Sequence, residues 1–344
     1  MHITTALTCA TLGGGAITGI GSLPHADPAA AVQLVAEFCP EIPFWPQLPQ
    51  RAPGELMVAQ ALVPVADLLR TREGRYGYQL EARNRATLLN RLADARGELT
   101  PAVAAGFFAL EAALAANAFP RAVALKGQII GPLTLAAQIF VDEQPLLYDP
   151  EGLAVVSAYV ESLARWQITR LARWRTPVLL MLDEPCLAFL PEPGDGQMLA
   201  IVQGLSRALR AAGALVGVHC CATLPDRTPP LALLCATGAD VVSFDAYQRS
   251  EAFCTEPAVR SFLASGGVLA FGIVPTFSDL TSVSLADLLV RWIVASRSGP
   301  PGIALKEHTI ITATCGLGLL TESVARRSFE LARELASAVA GATL

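Results

Sequence analysis

The chain has 344 residues, of which 53% are hydrophobic and 16% charged, with a formal net charge of −5. At that length and apolar content it buries a sizeable core, as one large domain or two ordinary ones. The acidic balance and the absence of any Lys/Arg cluster exclude nucleic acid as a partner, because phosphate binding needs a concentrated basic face.

The N-terminal run MHITTALTCATLGGG has the small residues of a short signal sequence. It lacks a positive leading segment, however, and threonines interrupt its apolar stretch. The first β-like run is GAITGIGSL, residues 15–23, and a helix follows in ADPAAAVQLVAEF, with Asp27 as N-cap and Pro28 at the first helical position. IPFWPQL, residues 42–48, is the second run. From about Met57 to Phe119 the chain reads as mostly helical, a long excursion between the second and third strands. Within it, AVAAGFFALEAALAANAF is the longest apolar stretch, but Glu111 breaks it, so a buried or half-buried helix is expected rather than a membrane span.

Six further runs follow: AVALKGQIIG, PVLLMLDE, LVGVHCC, DVVSFDA, VLAFGIVP and TIITATC. Most are nearly continuously apolar, as parallel strands covered on both faces require. The last helix, TESVARRSFELARELASAVAG, starts at Thr321 as N-cap. Eight strands alternating with helices predict a single (β/α)8 TIM barrel over residues 1–344. A doubly wound open sheet is the alternative, but no Gly-x-Gly-x-x-Gly turn supports it.

In a barrel, active residues sit at the C-terminal ends of the strands. Those ends carry Ser22, Gln47, Gln128, Asp183 with Glu184, His219 with Cys221, Asp245 and Cys315. Residues two apart on a strand face the same side, so His219 and Cys221 converge while Cys220 points away. Imidazole, two thiolates and a carboxylate make a tetrahedral zinc set, the soft sulfurs favouring zinc over magnesium or calcium. The bland reading is that His219 is a core histidine and the cysteines are small buried hydrophobes. The remaining cysteines, Cys9, Cys39, Cys186, Cys235 and Cys254, are scattered and suit a reducing cytoplasm. Zinc already neutralised by thiolates is a weak Lewis acid for carbonyls, but it deprotonates a thiol, so alkyl transfer to sulfur is the chemistry that fits.

Taken in order, TGIGSLPHADP, KGQIIGPLTLA, LMLDEPCLA, GVHCCAT and TATCGLG resemble motifs of the catalytic barrel of cobalamin-independent methionine synthase, within the superfamily shared with uroporphyrinogen decarboxylase. The resemblance covers nearly the whole chain. It implies zinc on His219, Cys221, Asp245 and Cys315, with His219, Cys221, Cys315 and Asp183 as the catalytic set. Asp245 stands where the family usually has glutamate. The resemblance also implies that Ile20 and Ser22 hold the carboxylate of homocysteine, that Asp183, beside Glu184, takes its ammonium group, and that Gln60 stands in for a glutamate. The family's additional N-terminal barrel has no room here, and FGIVPTFSD lacks the histidine that protonates the folate donor. The expected donor is therefore methylcobalamin or a methylcorrinoid protein, with no nucleic acid or membrane partner. Methylation of another thiol such as coenzyme M, a porphyrinogen decarboxylase, and a zinc- or corrinoid-binding protein without catalysis are the competing readings.

Overall fold

The computed structural model describes residues 12–190, 196–248, 256–298 and 304–340. Cys9 and Cys254 lie outside the described residues. The strands are β1 (Leu69–Thr71), β2 (Tyr78–Leu80), β3 (Leu125–Ile130), β4 (Ile139–Val141), β5 (Gln144–Pro145), β6 (Val178–Asp183), β7 (Leu215–Cys220), β8 (Val241–Asp245), β9 (Val268–Val274) and β10 (Thr309–Ala313). Six of them form a parallel sheet in the order β10-β9-β8-β7-β6-β3. They coincide with the last six runs read from the sequence, and helices such as Pro150–Leu171, Gly196–Ala211 and Glu322–Ala340 intervene.

The first two runs are not regular strands. Pro43 and Pro46 remove two ladder donors from the second of them. Isolated parallel bridges join these segments to their neighbours, at Ile17 with Ile311, Ser22 with Gln47, and Phe44 with Lys126. Ile311 N donates to Ala16 O at 2.8 Å, Gln47 N to Gly21 O at 3.0 Å, and Lys126 N to Pro43 O at 2.8 Å. Backbone bonding thus runs from β10 through both segments to β3. Side chains support the weak stretch: Trp45 Nε1 donates to Gln167 Oε1 at 2.9 Å, Gln167 Nε2 to Gln128 O at 2.9 Å, and Gln128 Nε2 to Trp45 O at 2.8 Å.

The excursion after the second run is only partly helical. Helices span Met57–Ala61, Arg85–Asp94 and Ala105–Ala115, but β1 and β2 pair antiparallel. With β4 and β5 they build a second, four-stranded sheet. Gly74, at φ +65°, turns the chain between β1 and β2, and Glu143 beside β5 pairs with Arg72 and Arg75 of that turn. The partner strands lie some sixty residues downstream, beyond the reach of local periodicity.

The side-chain alternation of the parallel sheet positions the site. On β6, Val178, Leu180 and Leu182 belong to the main core, whereas Leu179 and Met181 belong to a second cluster with Ala124, Val241, Val268, Ala270 and Ile310. Asp183 continues that second row. On β7, Val216, Val218 and Cys220 face the main core and Leu215 packs against the second cluster, which places His219 in the second row. One face of the sheet is therefore apolar near the strands' starts and polar at their ends.

Both helix starts read from the sequence are in place. The Asp27 carboxylate accepts from Ala29 N and Ala30 N at 3.1 and 3.3 Å, and Thr321 Oγ1 accepts from Val324 N at 3.3 Å. Among the described residues no helix is long and apolar enough to cross a membrane.

Candidate functional site

Because β6, β7 and β10 end at one side of the sheet, His219, Cys221 and Cys315 meet there. One ligand atom from each lies within 4.8 Å of the others. Cys220 turns away, its sulfur 3.8 Å from Pro185 O and 3.5 Å from Ala222 O, as strand alternation requires. His219 Nδ1 bonds Ser243 Oγ at 2.8 Å, while its buried Nε2 has no partner among the described residues. The sulfurs of Cys221 and Cys315 are 3.2 Å apart. The two thiols share a proton across that contact, and with His219 beside it the Cys315 thiol is pulled below its ordinary value. Cys221 is pushed up, since losing its proton would break the same bond.

An orphaned imidazole nitrogen and two sulfurs sharing a proton suit a soft divalent cation. Two thiolates bound to zinc at about 2.3 Å in a tetrahedron would sit roughly 3.7 Å apart, a small widening of the observed pair. Three protein ligands with one open position is the pattern of catalytic rather than structural zinc.

Asp245 does not join the other three. Its carboxylate accepts from Tyr247 N at 2.9 Å and Gln248 N at 3.3 Å, closing the turn after β8. Burial raises its pKa. Both amides bond Oδ1, while Oδ2 has Gln248 Nε2 at 3.5 Å. The four-residue set expected from the sequence is thus three residues here.

Next to the sulfurs lies a cleft of about 400 Å³, lined among others by Ile20, Ser22, Gln47, Glu55, Asp183 and Thr276. Asp183 is 6% exposed, and its Oδ1 has no hydrogen-bond partner among the described residues. Burial raises its pKa to about 6, against the pull of His219 and Lys126. A buried carboxylate without a partner is costly, which fits a position that receives a cation from a ligand. Ser22 Oγ accepts from Gly318 N at 3.1 Å and lies so close to the last loop that a Cβ at Gly318 would come within 2.8 Å of the serine Cβ. The glycines of the sequence CGLG therefore seat Ser22.

Glu184 does not line the cleft. Its Oε1 accepts from Leu133 N at 2.9 Å, and its Oε2 accepts from Thr134 N at 2.9 Å and Thr134 Oγ1 at 2.6 Å. It caps the helix Pro132–Ala137, and Gly131 is a glycine because a Cβ there would overlap the Glu184 carboxyl at 2.1 Å. All three neighbours are donors, so Glu184→Gln faces an N–H with an NH2 in either amide orientation. The expected outcome is a loss of about 1–3 kcal/mol of stability, measured by urea unfolding, with zinc content unchanged.

Gln60 stands one layer back. Its Oε1 accepts from Gln47 Nε2 at 3.2 Å and its Nε2 donates to Val103 O, so it orients Gln47 and does not itself line the cleft. Glu55, which sequence reasoning missed, does line it. That carboxylate is fully buried, accepts from Leu48 N at 2.9 Å and pairs with Arg51 at 2.7 Å. The Arg51/Glu55 spacing of four residues was its only signal. Thr276, beyond β9, occupies the stretch where no histidine was found and bonds Thr314 Oγ1 at 3.1 Å.

No family model matches the chain, and no curated protein matches it in sequence. Solved structures similar to it include a B12-independent methionine synthase from Shewanella sp. W3-18-1 in complex with selenomethionine, at 14% identity and a TM-score of 0.46, covering 62% of each chain. Another is a putative vitamin-B12 independent methionine synthase from Listeria monocytogenes, at 17% identity and a TM-score of 0.42, covering 63% of this chain and 64% of that one. This chain therefore spans less than two thirds of either. The methylcorrinoid donor and the corrinoid partner expected from the sequence find no support in these comparisons.

Proposed function

We propose that the chain is a zinc-dependent thiol S-methyltransferase on a single (β/α)8 barrel, with homocysteine as its thiol. The observation that carries this reading is the meeting of His219, Cys221 and Cys315 beside the unpartnered, buried Asp183. These three would hold the metal, and Asp245 is left to its turn. Zinc bound there would lower the pKa of the substrate thiol, so that the nucleophilic thiolate forms near neutral pH.

The chain's own residues do the rest. Ser243 fixes the His219 ring through Nδ1 and leaves Nε2 free to bind the metal. Asp183 takes the ammonium group of the amino acid, and the Ile20–Ser22 segment takes its carboxylate. Leu56, Met57, Leu319 and Leu320 give the cleft an apolar wall. The thiol has given up its proton before transfer. A sulfur lone pair then forms the new S–C bond as the bond from methyl carbon to donor breaks, and the donor leaves with that electron pair.

Charge favours homocysteine over a sulfonated thiol such as coenzyme M. The cleft lining has Asp183 and Glu55 but no lysine or arginine among the described residues, and a sulfonate would face two carboxylates. The free cysteines suit a reducing compartment, and a cytoplasmic location belongs to this reading.

The test is metal analysis of the purified protein, followed by parallel assays of homocysteine methylation with methyltetrahydrofolate and with methylcobalamin. About one zinc per chain and methionine from either donor support the proposal, and the productive donor settles the second substrate. Bound zinc whose coordination does not change on adding thiol would instead mark a metal-binding protein without this catalysis.

A further inference from the structure

Lys126 is a charged residue near the start of β3, 2% exposed, for which the proposed reaction has no use. Its Nζ donates to Ile20 O at 2.6 Å and to Gln128 Oε1 at 3.2 Å. Burial lowers its pKa to about 8, and Asp183 opposes that fall. A lysine kept this far from water is costly unless its charge is matched; here Asp183 supplies an opposing charge and a backbone carbonyl takes the shorter of the two hydrogen bonds.

That carbonyl belongs to the wall of the cleft. Ile20, Gly21 and Ser22 all line it. Among the described residues neither Gly21 N nor Ser22 N has a hydrogen-bond acceptor, although Gly21 O accepts from Gln47 N at 3.0 Å. A trans peptide points its C=O and the following N–H in opposite directions. Holding Ile20 O inward on Lys126 therefore turns Gly21 N–H outward, and an ammonium on the carbonyl polarises the same peptide and strengthens the N–H as a donor. Gln128 closes the back, since a Cβ on Gly21 would meet its side chain at 2.9 Å. Gly21 N–H and Ser22 N–H are thus the donors that this stretch of the wall has left for a carboxylate.

We infer that Lys126 is a positioning residue: by gripping the Ile20 carbonyl it sets the Gly21 and Ser22 N–H groups to receive the carboxylate of the thiol substrate. The inference rests on the amino-acid thiol reading above and adds a residue to it. Lys126 does not touch substrate and acts only through the peptide.

The experiment measures by calorimetry the binding of two thiols, homocysteine and 3-aminopropane-1-thiol, to the zinc-loaded protein and to its K126M and K126Q variants. The second thiol keeps the amine and the sulfur but lacks the carboxylate. K126M should weaken homocysteine about 10- to 100-fold more than the carboxylate-free thiol, since any change it makes through Asp183 falls on the amine that both thiols carry. K126Q, which keeps a donor but no charge, should fall between. Equal losses for both thiols would reduce Lys126 to a general structural role and overturn the inference. Should neither variant fold, the wild-type protein labelled with 15N-glycine decides. A Gly21 amide shift with homocysteine but not with 3-aminopropane-1-thiol supports the assignment, and no such difference removes it. If the wild-type protein binds neither thiol, the amino-acid thiol reading itself has failed and this inference falls with it.

Discussion

Cys315→Ser should lower zinc affinity by about a hundred- to a thousand-fold and reduce homocysteine methylation below detection at sub-stoichiometric metal. Four-ligand zinc peptides bind with roughly 10–16 kcal/mol, so one thiolate of the set is worth about 3–4 kcal/mol. The geometry makes the loss specific. Cys315 reaches the site from the loop after β10, and its sulfur sits 3.2 Å from that of Cys221. Cys221→Ser should behave like Cys315→Ser. Cys220→Ser is the control: that thiol is buried in the main core and should lose some stability but keep its zinc. Metal content after dialysis against a weak chelator checks all three. If Cys220→Ser lost metal as Cys221→Ser does, the facing derived from strand alternation would be wrong and the site with it.

The second large effect has two opposite signs. Asp183→Asn should weaken homocysteine about a hundred- to a thousand-fold, the scale on which breaking a buried charge pair is felt. The same change should make the thiol-free protein more stable. Asp183 carries a raised folded pKa of about 6 against an ordinary value of 3.8. Below pH ~4 both states bind the proton and the carboxyl costs nothing. As pH rises through 6 the unfolded chain ionises first, and stability is lost. By neutral pH the cost is on the order of 2–3 kcal/mol. Asp183→Asn removes it, and the melting temperature should rise by roughly 3–4 °C at pH 7, with the gain vanishing towards pH 4. Thermal melts at both pH values and thiol titrations of the same samples provide the measurement. A lower melting temperature at pH 7 would mean that Asp183 has an ordinary structural partner, and the ammonium site would be lost.

The six regular parallel strands and the residues at their ends were legible because a buried strand writes its burial directly into consecutive letters. His219 and Cys221 could be placed together by the two-residue repeat alone, and Cys315 by its position after TIITA. The two segments near the N-terminus were legible as extended chain but not as bridge-linked pieces. Their prolines and glycines forgo a ladder, and buried side chains of Gln128, Gln167 and Trp45 replace part of it. The β1–β2 hairpin escaped notice because β2 finds its second partner, β4, far along the chain. Asp245 lies outside the group of three for a local reason: the backbone amides two and three residues ahead both hold its Oδ1 in the turn after β8. Glu184 was read with Asp183 as one acidic pair, yet the two are consecutive strand-end residues and point different ways.

That divergence has a consequence for directed evolution. Position 183 holds an acid the fold would be steadier without, and position 184 holds one on which the adjoining helix depends. A library screened only for heat resistance should therefore accumulate changes at the first and none at the second, while a screen for methionine output would keep both acids. Neighbouring codons would thus diverge under the two regimes.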